Sequence, residues 1–328
     1  MRHLKEIINK LNKARVLVIG DLILDEYVWG KVERISPEAP VPVVEVVVES
    51  DVLGGAANVV SVLSMAGAKV FVSGVVGVDD VGRDLKEKLG KSRVDLKGII
   101  VDSRRPTTLK TRIVAHNQQV VRVDKESKNE IDKGVEDSMV KYFSTIVGKV
   151  DGIIISDYCK GTVTSGVVER LVAIAKKQGK KVVANTKADN LLYYRNVDVL
   201  IVSLDEAAAA SGIKPINETS IRNMGNKILS MVGCSNVVIT RGKDGFSVLG
   251  RDGSALTVKA PDLGGVYEFK RTEDTALSFL ALCLWSGLSV VDSAKFSSFV
   301  VEVLVSKKGA SKVTLEDIKE ALASNPLD

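Results

Sequence analysis

The chain has 328 residues, of which 45% are hydrophobic and 5% aromatic, and its formal net charge is +5. This length and apolar content suffice for the core of one large domain, which we place at residues 1–328. So few aromatic residues argue against a base-stacking surface, and no apolar run approaches the roughly 20 residues of a membrane span. We therefore expect neither a nucleic-acid partner nor a membrane partner.

The first predicted element is an amphipathic helix that runs into a strand, in the stretch MRHLKEIINKLNKARVLVIGD. This stretch lacks the apolar segment and cleavage site of a signal peptide. The three cysteines, Cys159, Cys234 and Cys283, are too widely spaced for a zinc or disulfide pattern. Together these features favour a reducing, cytoplasmic location.

Short β-branched runs then alternate with helical patterns along the chain. A buried strand is predicted at ARVLVIGD, a helix at GGAANVVSVLSMAG and a strand at KVFVSGVVG. Further strands follow at DGIIISD, KVVANT, DVLIVS and NVVITRG, each with a helical or turn-rich segment after it. This alternation predicts one α/β domain built on a mostly parallel sheet that is covered on both faces.

Two segments depart from this alternation. Residues 40–50 form a strand candidate with no helix before it, and residues 107–126 read as two alternating strands around a turn at His116. We expect a small antiparallel lid, formed by about residues 27–50 and 106–124, outside the main sheet. The alternative is that these strands extend one edge of the main sheet. A lid can cover a site, and its free apolar face could pair with a second copy, so we expect a homodimer through the lid.

Several polar residues follow the ends of predicted strands, where ligands bind in open α/β sheets. Carboxylates in such places commonly bind sugar hydroxyls, although a solvated turn is the alternative. Gly-Gly before a helix allows close backbone approach to a ligand, with an ordinary tight turn as the alternative. The candidates on this side are Asp21, Asp25, Gly54, Gly55, Asn58, Asp157 and Lys160.

The predicted lid carries a dense set of anion and hydroxyl binders. Lys110 and Arg112 share one face of a strand, because strand side chains repeat every second residue. Asn117, Gln118 and Arg122 follow them. This set suits a phosphorylated sugar, and the alternative is an edge strand protected by charge.

A second group of polar and glycine residues follows later strands. Each residue alone is unspecific, but all lie at the carboxyl ends of successive strands, where one site would gather them. The members are Lys187, Ser203, Leu204, Asp205, Glu206, Thr240, Gly242 and Gly245.

The order of these motifs resembles the ribokinase-like sugar kinases, and most closely the D-glycero-D-manno-heptose 7-phosphate kinases. The most specific match is GDLILDEYVWGKVERISPEAPVPVVEV, supported by GGAAN, TTLKTRIVAHNQQVVRVD and SDYCKG. The resemblance covers nearly the whole chain and implies a three-layer α/β sandwich with a β lid. In many bacteria this kinase is half of a bifunctional ADP-heptose synthesis protein. The chain leaves no room for the nucleotidyltransferase half, so we expect a kinase-only form.

The resemblance implies ATP- and Mg²⁺-dependent phosphorylation of a heptose 7-phosphate at its anomeric hydroxyl. Asp274 would be the general base. Residues that would hold the sugar are Asp21, Asp25, Gly54, Gly55 and Asn58, with Asp157 and Lys160 on the same side. Residues that would bind its phosphate and close the lid are Lys110, Arg112, Asn117 and Arg122. Residues that would lie beside ATP, with Glu206 also near the metal, are Lys187, Ser203, Leu204, Asp205, Glu206, Thr240, Gly242, Gly245 and Arg271.

The chain departs from the family pattern at the start of the helix that carries Asp274. Family members begin this helix with Asp-x-Thr-Gly-Ala-Gly-Asp-Thr, whose Gly-Ala-Gly amides form an anion hole. Here the stretch is EFKRTEDT, so Arg271-Thr272-Glu273 replaces Gly-Ala-Gly. Acids at a helix N-terminus suit the helix dipole but repel a phosphate. Arg271 could stabilise the phosphoryl charge instead, or it could be a solvated basic residue.

The nucleotide side differs further, because the family's Asn-x-x-Glu pattern reads Ser203-Leu204-Asp205-Glu206. Three functions therefore stay open. The first is a working ATP-dependent sugar kinase. The second is a catalytically impaired relative that binds a sugar phosphate or a partner protein. The third is a kinase that uses another phosphoryl donor.

Overall fold

The fold was analysed in a computed structural model, which describes residues 7–8, 10–91, 94–116, 118–260, 269–307 and 312–324, with only the backbone at 269–271. The strands are β1 Arg15–Gly20, β2 Leu22–Ile35, β3 Pro42–Gly55, β4 Lys69–Val76, β5 Val94–Val101, β6 Thr108–Ala115, β7 Gln118–Lys125, β8 Gly152–Ser156, β9 Lys181–Asn185, β10 Val199–Ser203, β11 Asn236–Thr240, β12 Phe246–Gly250 and β13 Ala255–Val258. The helices are α1 Ala56–Met65, α2 Asp80–Gly90, α3 Lys133–Ile146, α4 Ser165–Lys177, α5 Leu204–Ser211, α6 Glu218–Val232, α7 Phe269–Trp285, α8 Val290–Ser306 and α9 Leu315–Ser324.

The main sheet has the strand order β13-β12-β11-β10-β9-β8-β1-β4-β5 within the described chain. Neighbours from β11 to β5 run parallel, and β12 and β13 are joined antiparallel at the other edge. The central strands consist of β-branched and other apolar residues because both of their faces are covered. Every residue of β8 is buried, as are all residues of β1 after Arg15.

Helices cover both faces of this sheet. Alternate residues of β1 point to opposite faces, so Val16 and Val18 join a core with α1, α7 and α8, whereas Leu17 and Ile19 join a core with α3, α4 and α6. The result is a helix–sheet–helix sandwich, which confirms the predicted α/β fold class. Within the described residues, no helix combines the length and the hydropathy needed to cross a membrane.

The lid strands form a sheet of their own, in the order β3-β2-β6-β7, and do not extend the main sheet. The lid contains more of the chain than its sequence pattern indicates. Strand β2 begins at Leu22, directly after Asp21, and β3 runs on to Gly55. Gly54 and Gly55 come directly before a helix, as predicted, but α1 begins at Ala56 and both glycines pair with β2, so they end a lid strand.

Close strand packing determines where the polar loops meet. A Cβ added to Gly20 would lie 1.9 Å from the carbonyl oxygen of Ser156, so only glycine lets β1 and β8 end side by side here. Asp21 and Asp157 follow these two strand ends directly. Asp21 and the loop after β8 therefore lie side by side where the lid strand β2 begins.

Candidate active site

Asp274 lies near the start of α7 and is only 5% exposed. Its Oδ2 accepts a hydrogen bond from Nδ2 of Asn58 on α1 (2.7 Å), and its Oδ1 accepts one from Oη of Tyr158 in the loop after β8 (2.8 Å). Three separate elements thus converge on one carboxylate. This arrangement fixes the orientation of the side chain that would be the general base if the family resemblance holds for this position.

The environment of Asp274 changes its titration. Burial raises the pKa of Asp274 to about 7; the charges of Glu273 and Asp25 add to the rise, and the hydrogen bonds from Asn58 and Tyr158 oppose it. A carboxylate with a pKa near neutrality is a stronger proton acceptor than an ordinary aspartate and is still substantially ionised at neutral pH. Such a carboxylate can accept a proton at neutral pH.

Tyr158 is a site residue that sequence reasoning missed. Burial and the charge of Asp274 raise the pKa of Tyr158 well above its usual value, so its hydroxyl is a hydrogen-bond donor at neutral pH. Its backbone N–H donates to Oδ2 of Asp21 (2.8 Å), which anchors the loop. The residue lies inside the SDYCKG motif, but the motif contains no signal that the hydroxyl reaches a helix more than 100 residues away.

Asp21 is buried below the loop that carries Tyr158. Its Oδ2 also accepts from the backbone N–H of Lys160 (3.1 Å), and its Oδ1 accepts from that of Thr162 (3.3 Å). Burial and the nearby charge of Asp157 raise the pKa of Asp21 to about 6. In this structure Asp21 holds the backbone of the loop, whereas the sequence assigns it to the sugar.

Asp157 is fully buried and has a similar role. Its Oδ1 accepts from the backbone N–H of Cys159 at 2.8 Å. Its Oδ2 accepts from three side chains at 2.8–2.9 Å, those of Thr186, Asn190 and Tyr194. The described contacts of Asp157 are thus made with the protein itself and not with an open cavity.

Asp25 and Arg112 meet on the inner face of the lid. Arg112 donates to Oδ1 of Asp25 at 2.6 Å, and its guanidinium lies 5.3 Å from the centre of the Tyr27 ring. A Cβ at position 54 would lie 2.2 Å from Oδ2 of Asp25. Gly54 therefore provides the space into which the Asp25 carboxylate fits.

The predicted phosphate-binding cations are brought together, but each has an acidic partner. Lys110 contacts Asp124 and Glu126, both at 2.9 Å. Lys160 contacts the other oxygen of Glu126 at 2.7 Å, and Arg122 contacts Asp124 at 2.8 Å. Asn117 lies outside the described residues. The sequence pattern did not indicate a role for Asp124 and Glu126. These two carboxylates neutralise part of the positive charge of Lys110, Lys160 and Arg122.

The residues predicted for the nucleotide side lie at the ends of β9 and β10. The Ser203 hydroxyl caps α5 by accepting from the N–H of Glu206, while Leu204 and Asp205 form the first positions of that helix. Glu206 contacts Nζ of Lys187 (3.2 Å) and accepts from the N–H of Ala188 (2.7 Å). Glu206 thus joins two loops at this edge of the sheet.

A magnesium ion needs little protein ligation in a nucleotide site, usually one or two carboxylates together with the phosphates. Glu206 fits that requirement as a single carboxylate. No group of three or more histidine, cysteine or acidic side chains that could hold a metal occurs in the part of the chain that the structure describes.

Thr240 ends β11, and its Oγ1 donates to Oε1 of Glu273 (3.3 Å), the residue before the candidate base. The turn that follows needs glycine, since Gly242 and Gly245 have φ angles of 57° and 85°. A Cβ at Gly245 would also lie 2.0 Å from the carbonyl oxygen of Val258. The side chain of Arg271 lies outside the described part of the structure.

Comparison with known proteins agrees with this architecture. The pfkB family carbohydrate kinases match residues 13–317. The "Bifunctional protein HldE" of Syntrophotalea carbinolica is 36% identical over 326 residues, which are 99% of this chain and 66% of that protein. The chain thus spans just under two thirds of the length of this relative.

Solved structures show the same fold. Arabidopsis thaliana ribokinase complexed with ribose and ATP superposes with a TM-score of 0.74 at 15% identity, covering 94% of this chain and 99% of that one. The tetrameric inhibited form of Escherichia coli phosphofructokinase-2 gives 0.74 at 14% identity, covering 95% and 99%. Because the family match covers nearly the entire described core, the chain belongs to the pfkB family of carbohydrate kinases.

Proposed function

We propose that this chain is an ATP-dependent kinase that phosphorylates a heptose 7-phosphate at its anomeric hydroxyl, on the route to ADP-heptose. The observation that carries the proposal is the Asp274 carboxylate, which is held by Asn58 and Tyr158 below a lid and has a pKa of about 7. The choice of heptose rests on the resemblance of the lid and loop motifs. The three cysteines, all unpaired in the structure, are in keeping with a reducing cytoplasm.

Asp274 would remove the proton from the sugar hydroxyl as that oxygen bonds to the transferred phosphorus atom. Asn58 and Tyr158 hold the carboxylate in one orientation, so that little reorganisation is needed during the reaction. When bound, ATP would supply the phosphoryl group, and Mg²⁺ would neutralise part of its charge. Thr240 and the turn from Gly242 to Gly245 would hold the nucleotide, and Glu206 would hold the metal.

The lid also supports a proposal about assembly. The lid strands and the turn before β3 expose large apolar side chains, and such a surface is usually covered by a partner. The exposed residues are Trp29, Ile35, Val41, Val46, Val47, Val48, Val120, Val121 and Val123. We propose that the partner is a second copy of this chain.

A second function is favoured by one observation on the nucleotide side. Glu273 contacts Thr240 at 3.3 Å, so a carboxylate lies against a hydroxyl that the resemblance assigns to ATP. Loss of one preorganised oxyanion donor typically costs about 100- to 1000-fold in rate, and here the whole Gly-Ala-Gly element is replaced. The second candidate is therefore an impaired kinase that binds the sugar phosphate without efficient turnover. Use of a different donor is a third candidate.

The deciding experiment is isothermal titration of the protein with Mg²⁺-ATP and, separately, with heptose 7-phosphate. Binding of both supports the kinase, and a turnover assay that yields ADP and the heptose 1,7-bisphosphate completes the test. Binding of the sugar phosphate alone supports the impaired relative, and a screen of other phosphoryl donors then tests the third candidate. Binding of neither would overturn the proposal.

A further inference from the structure

Glu126 joins the lid to the body of the protein. It follows β7 directly, at the point where the chain leaves the lid. Its Oε1 contacts Nζ of Lys160 in the loop after β8 at 2.7 Å, and its Oε2 contacts Nζ of Lys110 on β6 at 2.9 Å. All three side chains are only 12–13% exposed. One carboxylate therefore bridges two partly buried ammonium groups that belong to different parts of the molecule.

The side chain of Glu126 is ionised at neutral pH. Burial alone would raise the pKa of Glu126, but hydrogen bonds from Lys160 and Lys110 outweigh it and hold the pKa below its usual range. Even without a ligand, the ammonium groups of Lys110 and Lys160 are therefore paired with a fully charged carboxylate. Around them, Arg122 adds one positive charge and Asp124 one negative charge, so the five groups together carry a net charge of +1.

A phosphate monoester presents the same kind of acceptor with a larger charge. It offers three oxygens and a charge of about −1.5 to −2 at neutral pH, against −1 for a carboxylate. It can therefore contact both lysines and compete with Glu126 for them. Asp124 needs no displacement, because Arg122 already holds it through two hydrogen bonds (2.8 and 3.1 Å).

We propose that Glu126 is a specificity-determining residue that occupies the phosphate subsite until the phosphate of the substrate displaces it from Lys110 and Lys160. This inference rests on the proposed function, since it takes a sugar phosphate as the substrate. Displacement replaces the Glu126 bridge between lid and body with a bridge through the substrate. An unphosphorylated sugar cannot make this exchange, because a neutral hydroxyl competes poorly with a paired carboxylate.

The test measures binding of inorganic phosphate to the full chain by calorimetry, without any need for turnover. In the Glu126→Gln variant the competing charge is gone, and we expect phosphate to bind about tenfold more tightly than in the wild type. Lys160→Met should abolish phosphate binding with or without the Glu126 change. The matched control is Glu130→Gln, which removes the same charge from an exposed side chain four residues away and should leave the affinity unchanged.

A second variant covers the case in which Glu126→Gln does not fold. Glu126→Asp keeps the charge but shortens the side chain by one methylene group, so it cannot bridge both lysines. Its phosphate affinity should lie between that of the wild type and that of Glu126→Gln. Equal or weaker phosphate binding in both variants would overturn the inference.

Measurements with heptose 7-phosphate and unphosphorylated heptose separate this inference from the proposed function. Tighter phosphate binding in the Glu126 variants without any binding of heptose 7-phosphate would support the phosphate subsite and reject heptose 7-phosphate as the substrate. Turnover of heptose 7-phosphate together with unchanged phosphate affinity in the Glu126 variants would support the proposed substrate and reject the proposed role of Glu126.

Discussion

The Tyr158 hydroxyl donates a hydrogen bond of 2.8 Å to Oδ1 of Asp274, across 116 residues of sequence. The same tyrosine is anchored through its backbone N–H to the buried carboxylate of Asp21. A chain of contacts thus runs from the end of β1 through the loop after β8 to the start of α7. It determines both the orientation of the candidate base and part of its proton affinity.

The first prediction concerns the pH dependence of turnover. Asp274 must be ionised to accept a proton, so activity should rise with pH through about 7. Tyr158→Phe removes a hydrogen bond to this carboxylate, worth about 1.5 kcal/mol, or about one pKa unit. The acidic limb of the kcat/KM profile should therefore move about one unit toward alkaline pH. Tyr193→Phe, which changes a nearby tyrosine that contacts Glu130, is the control. An unmoved limb in Tyr158→Phe would show that Tyr158 does not tune the base.

The second prediction links the activity of Asp274 to stability. Because its folded pKa of about 7 lies above the ordinary value of 3.8, the folded protein retains a proton that the unfolded chain releases between these values. The free energy of unfolding therefore falls as pH rises toward 7. Asp274→Asn removes the buried charge and should stabilise the fold at pH 8, on the order of 2 kcal/mol, while turnover is lost.

Thermal melting at pH 5 and pH 8 measures this effect. The Tm of Asp274→Asn should exceed that of the wild type at pH 8, and the two should nearly coincide at pH 5, where Asp274 is mostly protonated. Asp84→Asn, at an exposed position of α2 outside the candidate site, controls for the change in net charge. Retained turnover in Asp274→Asn would remove Asp274 from the role of base.

The third prediction tests the replaced anion hole. Changing Arg271-Thr272-Glu273 to Gly-Ala-Gly removes the like charge of Glu273 and frees backbone amides for the nucleotide. We expect tighter binding of Mg²⁺-ATP and a rise in turnover of at least about tenfold, since each oxyanion donor contributes strongly to rate. Glu273→Gln alone separates the effect of charge from that of the backbone. A fall in turnover would mean that the native residues have built a working anion site of their own.

The fourth prediction concerns the lid surface. Val121 and Val123 alternate with Arg122 and Asp124 along β7, so they lie on the lid face opposite Lys110, which contacts Asp124. The wild type should sediment as a dimer at micromolar concentration, and the double change Val121→Glu, Val123→Glu should give monomers. Ile216→Glu places the same charge on an exposed apolar residue of the body and should leave the dimer intact. A wild type that sediments only as monomer would contradict the assembly.

The limits of the sequence are clearest at the lid. Strong alternation in residues 107–126 predicted two strands outside the main sheet, because alternation is a local property of a strand with two different faces. The extent of the lid was not predictable in the same way. The local pattern placed Gly55 before a helix but did not show that it also ends a lid strand, since its pairing with Leu22 depends on a neighbour more than 30 residues away.

By itself, the sequence determined the α/β class, six of the nine described strands of the main sheet, and the placing of polar residues at the carboxyl ends of strands among those six; it did not predict the edge strands β5, β12 and β13. It determined these features because β-branched runs and helical periodicity act over neighbouring residues. Only the tertiary structure decided what each polar group contacts. Asp21 and Asp157 are turned inward to hold loops, Lys110 and Lys160 share Glu126, and Tyr158 reaches Asp274. Burial and long-range contacts set the charge and orientation of these groups, and neither can be read from local pattern.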